Sequence, residues 1–261
     1  MKFTYFKMYP LMITASVFLV LNGCDGNTGI SSDTGIVAPA SAPVPPTEAE
    51  CLLAAGGYEA IVIKDTNDNN RTWLDRNLGA SEVAATPDDQ AAFGHYYQWG
   101  RTADGHEVST SDTNDTLATT LDGSDTNTAW YGKFILSTRT NLDWVASNVD
   151  NDGSLRESTW STPYDANQIC PCGYIVPSAQ DFADLNLSDP ANADIFKVAY
   201  ADRRAAEDGV VTNRNLAVFW TTTHDNNNSD YYAIWFGQPG EVLNNGKRGA
   251  GVPVRCIKPL P

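Results

Sequence analysis

Four of the five cysteines lie in the body of the chain, at Cys51, Cys170, Cys172 and Cys256, and their thiols could do two kinds of chemistry. Thiolates are good ligands for soft metals, and Cys170 and Cys172 are close enough in sequence to act together. In an exported chain, an even number of cysteines predicts disulfides instead, with three possible pairings. A bond between Cys170 and Cys172 would close a strained ring, which leaves two pairings open.

The fifth cysteine, Cys24, follows a segment with the features of a secretion signal. Lys2 and Lys7 supply positive charge, and residues 11–21 form an uncharged apolar run. This run is shorter than the ~20 residues that span a membrane. Residues 21–24, Leu-Asn-Gly-Cys, resemble the lipobox of bacterial lipoproteins, in which the cysteine thiol carries a diacylglycerol. The pattern predicts a signal peptide over residues 1–23 and lipidation of Cys24.

A lipid on Cys24 would anchor the chain in a membrane of the bacterial cell envelope, so this membrane is its first expected partner. Asp25 resembles the signal that keeps some lipoproteins at the inner membrane. Anchoring in the outer membrane is the alternative, and the domain could face the periplasm or the cell surface. Residues 24–50 are rich in Ser, Thr, Gly, Ala and Pro, so they cannot bury enough apolar surface to offset their ordering entropy. We expect a disordered tether over residues 24–50 and one domain over residues 51–261.

The acidic composition limits the class of ligand. The chain has 17 basic and 32 acidic residues, and removal of the signal with Lys2 and Lys7 leaves 15 basic residues and a net charge of −17. Such a charge repels polyanions. We expect no nucleic-acid partner and favour a glycan, a peptide or a protein as the ligand.

The histidines do not form a recognisable catalytic set. His95, His106 and His224 are the only three, and no Gly-x-Ser-x-Gly turn, His-Glu-x-x-His helix or Walker loop is present. His95 and His106 flank a segment in which Arg101 and Asp104 are expected to fix a turn by hydrogen bonding. The sequence predicts a protein that is not an enzyme and needs no cofactor.

One acidic segment has part of the pattern of a calcium loop. Asn148, Asp150 and Asp152 occupy alternate positions before Gly153, but Thr159 stands where such a loop needs a glutamate. We expect a solvated turn here, and these three residues are the candidate ligands if calcium binds.

Polar and aromatic residues that could bind a ligand cluster late in the sequence. Residues 224–232, HDNNNSDYY, combine amides with tyrosines, a mixture that suits sugars, peptides or protein surfaces. Strand alternation sends Tyr232 to one face and Trp235 to the other, and we expect Trp235 in the core. The candidate ligand-binding residues are Asp225, Asn226, Asn227, Asn228, Tyr231, Tyr232, Asn244, Asn245 and Arg248.

Short strands and long loops must position these residues. Alternating β-branched residues predict a strand over residues 58–64, a turn over residues 65–70 and a returning strand over residues 71–78. Residues 104–128 lack periodicity and predict a long loop. Further strands are predicted over residues 216–221, 231–236 and 252–257.

One or two helices are predicted between these strands. Ser178 and Asp181 have the spacing of a capping box at the start of a helix over residues 179–185. A second short helix is predicted over residues 191–199. Strands at both ends with helices between them indicate an α+β class. The tryptophans predicted to be buried are Trp73, Trp99 and Trp220.

Five separated blocks give the chain a family resemblance. The blocks read RTWLDRNLGAS, HYYQWGRTADGHE, CPCGYIVPS, VFWTTT and GVPVRCIK, at residues 71–81, 95–107, 170–178, 218–223 and 251–258. In this order they resemble the Fibrobacter succinogenes major paralogous domain, a bacterial envelope family grouped with C-type lectin-like folds. The resemblance extends from about residue 58 to residue 258.

The resemblance implies a C-type lectin-like fold with short mixed strands, terminal strands paired in one sheet, and long loops. It also implies a disulfide between Cys170 and Cys256, which leaves Cys172 for Cys51. The first function that it suggests is a non-catalytic ligand-binding or adhesion module. One alternative is a variable display protein of a diversity-generating retroelement, in which mutagenesis acts mainly on Asn codons. Another is an oxidase like the formylglycine-generating enzymes, which bind copper through a cysteine pair.

Overall fold

A computed structural model describes residues 46–137, 139, 141–212, 216–224, 232–235 and 244–260, of which residues 232–235, 244 and 245 are described by their backbone alone. These residues form short helices and small sheets, so the predicted α+β class is confirmed. Within the same residues, no helix has the length and apolar character needed to cross a bilayer.

The described part begins with a helix and a β-hairpin. Helix α1, Glu48–Ala54, starts before the predicted domain boundary because Thr47 and Glu50 form a capping box there. Strand β1, Ala60–Lys64, pairs antiparallel with β2, Asn70–Leu74, and both strands are shorter than predicted.

The segment 254–258 lies beside β2. The backbone N–H of Leu74 donates to the carbonyl of Cys256 at 3.0 Å, and that of Lys258 donates to Thr72 at 2.8 Å. On its other side, Ile257 exchanges two backbone hydrogen bonds with Ile175, at 2.8 and 3.0 Å. Strands from the two ends of the domain therefore lie side by side.

Three further helices follow. Helix α2, Ser154–Ser161, was not predicted, since the segment before it was interpreted as a turn. Helix α3, Ala179–Leu185, has the predicted bounds, and Ser178 and Asp181 form its capping box. Helix α4, Pro190–Phe196, ends before the predicted residue 199 because Lys197 takes a left-handed backbone conformation with φ 51°. A single 3₁₀ turn, Gln90–Ala92, precedes them.

The remaining strands are short. Strand β3, Tyr97–Gln98, pairs antiparallel with β9, Gly251–Val252, and β4, Thr113–Asn114, pairs parallel with β5, Phe134–Ile135. Strand β4 lies within the predicted long loop. The last sheet is antiparallel in the order β6, Trp220–His224; β7, Tyr232–Trp235; and β8, Asn244–Lys247.

Two regions of the core differ in chemistry. The first, which we name the aromatic cluster, contains Trp73, Phe182, Phe196 and Phe219, with ring centroids 5.2–6.4 Å apart for the pairs in contact. The second surrounds Trp99, which lies beside Trp160 at 6.2 Å. The predicted burial of Trp73, Trp99 and Trp220 is confirmed.

Two disulfides close the domain, as the count of cysteines predicted. Cys51 is bonded to Cys172, and Cys170 to Cys256, which is the pairing that the family resemblance implied. Cys170 and Cys256 are buried, whereas Cys51 and Cys172 are partly exposed. The first bond attaches α1 to the domain, and the second lies within the core.

Candidate functional site

The three-stranded sheet carries the described members of the predicted ligand site. Trp235 pairs with Trp220 and with Asn244, while Tyr232 pairs with Lys247. These pairings place the backbones of Tyr232, Trp235 and Asn244 in the sheet beside β6, whose Trp220 is fully buried.

The backbone of Asn245 pairs with that of Ile234 in the same sheet. Other predicted ligand residues lie outside the described residues: Asp225, Asn226, Asn227, Asn228 and Tyr231.

Arg248 is not a surface residue, which corrects its assignment to the ligand site. Its side chain is 0% exposed, because the turn after β8 directs it into the core. Nη2 donates to the carbonyl of Asp152 at 2.8 Å, and the guanidinium lies 4.8 Å from the ring centroid of Trp99. Arg248 therefore fixes the segment before α2 instead of contacting a ligand.

A buried ion-pair network lies around Arg248, and we name it the charged layer: Asp143, Asp150, Arg156 and Arg248. Arg156 donates to both oxygens of Asp143, at 2.7 and 2.9 Å, and its Nε donates to Asp150 at 2.8 Å. Arg248 Nη1 lies 3.8 Å from Asp143 Oδ2. Burial opposes the charges, but the carboxylates outweigh it and raise the pKa of Arg156, while Arg156 lowers the pKa of Asp143.

The charged layer is joined to the strands through Trp99. The guanidinium of Arg156 lies 5.2 Å from the Trp99 ring, and Trp99 Nε1 donates to the carbonyl of Thr221 in β6 at 2.8 Å. The backbone N–H of Trp99 donates to the carbonyl of Arg248 at 3.0 Å. One tryptophan thus ties α2 to β6 and to the end of β8.

Two of the three candidate calcium ligands, Asp150 and Asp152, accept hydrogen bonds from the first turn of helix α2. Asp150 accepts backbone N–H groups of Leu155 and Arg156 at 3.2 Å, and Asp152 accepts the N–H of Ser154 at 3.2 Å. Asn148 is exposed. The expected turn is therefore the start of α2, and Asp150 serves the ion pair with Arg156.

Gly153 is required where α2 begins. Its φ is 86°, and a Cβ at this position would lie 2.5 Å from Nη2 of Arg248. This glycine, which resembled part of a calcium loop, instead allows the guanidinium of Arg248 to approach the backbone closely.

A second acidic group, Asp104, His106 and Glu107, has atoms within 4.8 Å of one another, the spacing of a metal site. However, Asp104 bonds Arg101 Nη2 at 2.6 Å and lies 2.7 Å from His106 Nδ1. His106 Nε2 accepts the backbone N–H of Gln98 at 3.1 Å, so both ring nitrogens are engaged. The interpretation of this segment as a hydrogen-bonded turn is confirmed.

Burial and charge shift the pKa values of this turn. Burial, followed by the charge of Arg101, lowers the pKa of His106 to about 3. For Asp104, burial alone would raise the pKa, but the hydrogen bond from His106 and the charge of Arg101 lower it to about 2. At neutral pH, His106 is therefore neutral and Asp104 is ionised.

Sequence reasoning missed the pair formed by His224 and Glu157. Nδ1 of His224 lies 2.8 Å from Oε2 of Glu157, and the histidine ring lies 5.8 Å from that of Trp99. The pair links the end of β6 to α2. It joins residues far apart in sequence, and no local pattern indicates such a contact.

Comparisons with protein-family models, with curated proteins and with solved structures found no match to this chain. The family resemblance and the C-type lectin-like fold therefore stay predictions, and the functional argument depends on the residues described above.

Proposed function

We propose that this protein is a lipid-anchored, non-catalytic ligand-binding or adhesion module of the bacterial envelope. In this proposal the domain has a C-type lectin-like fold of the Fibrobacter succinogenes major paralogous family. The ligand contacts residues 225–232 together with Asn244 and Asn245.

The charged layer is the observation that carries the proposal. Arg156 and Arg248 bind the ends of α2, β6 and β8 together through Trp99 and Asp143. A recognition surface built on rigid elements loses less conformational entropy when it binds. A rigid support of this kind fits a module that binds its ligand without catalysis, through residues such as Asp225 and Tyr232.

The pairing of strands from the two ends of the domain supports the proposed fold. Residues 254–258 lie between β2 and Ile175. This arrangement agrees with the terminal pairing that the family resemblance implies.

Array binding of the wild type and of the double variant Asp225→Ala/Tyr232→Ala tests the site. We expect the double variant to lose those wild-type interactions that depend on this site, because aromatic and polar groups at the centre of a site supply most of its binding energy. The control is Leu155→Ala, since Leu155 is an exposed apolar residue of α2. A double variant that keeps every interaction would move the binding face elsewhere, first to the loop at residues 104–128.

The lipid anchor has its own test. The Cys24→Ala variant, or the wild type with globomycin, should accumulate as uncleaved precursor, as shown by its mobility on a gel and by the absence of lipid labelling. Normal processing of Cys24→Ala would rule out lipidation without affecting the ligand site.

A variable display protein is the second candidate function. The asparagines at 226–228, 244 and 245 would be targets of adenine-directed mutagenesis. A near-copy of this gene segment beside a reverse transcriptase gene would establish this candidate.

An oxidase with a copper-binding cysteine pair has no support here. Cys51, Cys170, Cys172 and Cys256 are all disulfide-bonded, and oxidised sulfur does not supply the thiolates that copper needs. Thiol titration of the folded protein should find no reactive thiol among them.

A further inference from the structure

A groove of about 800 Å³ lies beside α1, away from the residues predicted to bind ligand. Its volume is within the ~300–1,000 Å³ typical of small-molecule sites. The disulfide between Cys51 and Cys172 forms part of its wall, and Tyr164 and Lys258 also line it. Sequence reasoning missed this site because its walls come from residues more than two hundred positions apart, such as Glu48 and Lys258.

Tyr164 presents an exposed aromatic side chain at the groove. The side chain is 81% exposed. The backbone of Tyr164 has a φ of 61°, a conformation that residues with bulky side chains rarely adopt. Its hydroxyl lies against Gly173, where a Cβ would come within 2.5 Å of Tyr164 Oη. An exposed tyrosine ring has only two side-chain torsions, so it offers a flat surface to a ligand at low entropic cost.

The charged groups that line the groove are each held in an ion pair. Lys258 Nζ forms an ion pair with Glu48, and Arg71 forms one with Asp181. Arg71 lines the groove with 9% of its side chain exposed, and its Nε has no hydrogen-bond partner among the described residues. Asn70, which is exposed on the same wall, adds an amide that both donates and accepts.

Backbone pairing around the groove disfavours an extended peptide. Thr72 accepts the N–H of Lys258, and the adjacent Ile257 bonds Ile175 on its other side. The edge of β2 is therefore paired with segment 254–258, and the other edge of that segment is paired with Ile175. A peptide has no free strand edge here to which it could add a strand.

We propose that this groove is a second binding site, for a neutral oligosaccharide. The apolar face of a sugar ring lies on Tyr164, and its hydroxyls bond Glu48, Asn70 and Lys258. A sugar hydroxyl both donates and accepts hydrogen bonds. A site with ion pairs and an amide offers both donors and acceptors, so it suits a sugar better than a site with charges of a single sign. An anionic sugar is disfavoured because the acidic chain repels it.

The test applies the full-length protein to an array of neutral glucose-, galactose- and mannose-based oligosaccharides, with uronic-acid oligosaccharides and proline-rich peptides as further arms. The strongest neutral hit is then titrated against Tyr164→Ala, Tyr164→Phe and Asn70→Ala. Leu155→Ala, another exposed apolar side chain, is the matched control.

Tyr164→Ala should raise the Kd for the neutral oligosaccharide at least about tenfold, while Tyr164→Phe and Leu155→Ala stay close to wild type. Asn70→Ala should weaken binding as well, and it serves as the second variant if Tyr164→Ala fails to fold. Binding only to acidic sugars or peptides, no binding to neutral sugars, or unchanged binding by the folded Tyr164→Ala variant would overturn this proposal. Because Asp225→Ala/Tyr232→Ala leaves the groove intact, its result separates failure of the sheet site from failure of the groove.

Discussion

The aromatic cluster and the charged layer fill two parts of one core with opposite chemistry. The aromatic cluster contains rings that need only be excluded from water, so its stability depends on area and shape. The charged layer contains Arg156 and Asp143, whose desolvation is compensated only while each keeps its partner. Conservative changes are therefore tolerated in the first region and not in the second. The charged layer is also the part that holds the strands of the proposed ligand site.

The largest expected effect comes from the charged layer. Arg156→Met keeps much of the side-chain volume but leaves Asp143 and Asp150 buried without their partner. We expect the free energy of unfolding to fall by about 3–5 kcal/mol, measured by urea denaturation without reductant. The control Lys64→Met removes the exposed pair with Asp68 and should cost less than about 1 kcal/mol. Equal losses in the two variants would contradict the comparison.

The disulfide in the same core cluster as Trp99 should give the next effect. Replacing Cys170 and Cys256 by serine removes a loop constraint and buries two hydroxyls, with an expected loss of about 2–4 kcal/mol of unfolding free energy. The partly exposed Cys51 and Cys172, replaced in the same way, should cost less, since their serines reach water. Thermal melting of both variants measures the order, and the reverse order would show that attachment of α1 matters more than the core.

Acid should weaken the polar part of the core through His106. Its folded pKa of about 3 is below the ordinary 6.5, so the unfolded chain binds the proton first as the pH falls from 6.5 to 3. The unfolding free energy should fall across this window by at most about 1.4 kcal/mol per pH unit from this residue. Urea denaturation at pH 7, 5.5 and 4.5 measures the slope.

His106→Gln should reduce that slope, whereas Phe182→Leu in the aromatic cluster should leave it unchanged. Asp104 adds a smaller contribution at lower pH. Its folded pKa of about 2 is below 3.8, so its stabilisation is complete above pH 3.8 and is lost as the pH falls through 2. A slope that His106→Gln does not alter would assign the acid sensitivity to other groups.

The smallest effect is expected in the aromatic cluster. Phe182→Leu keeps an apolar side chain in contact with Trp73 and Phe219, so the unfolding free energy should fall by only about 1 kcal/mol. Urea denaturation beside Arg156→Met measures the contrast directly. A loss as large as that of Arg156→Met would show that ring geometry constrains this region as strictly as ion pairing does the other.

Local patterns predicted the aromatic cluster better than the charged layer. The capping box at Ser178 and the apolar spacing of Phe182 and Leu185 determine α3, and the sequence predicted it with the correct bounds. Helix α2 was missed because Leu155 is exposed and the partners of Arg156 precede the helix, so no apolar periodicity marks it. The disulfide pairing came from family resemblance and not from spacing.

The candidate site was predicted only in part for a similar reason. The alternation that predicts opposite faces for Tyr232 and Trp235 stays a prediction, because the structure describes these two residues by their backbone alone. The burial of Arg248 depends on Asp143 and on the backbone near Gly153, about a hundred residues earlier. A charged residue after an asparagine pair looks like a surface residue unless that long-range partner is known.

The segment 254–258 has a consequence for biosynthesis. It supplies the partner of Cys170, the backbone partners of β2 and Ile175, and the buried guanidinium of Arg255, which donates to the carbonyl of Phe196 at 2.9 Å. All the elements that it joins are translated before it. A nascent chain that stops short of Val254 therefore lacks the strand that closes its core, and the domain can complete its fold only after the ribosome has made these residues.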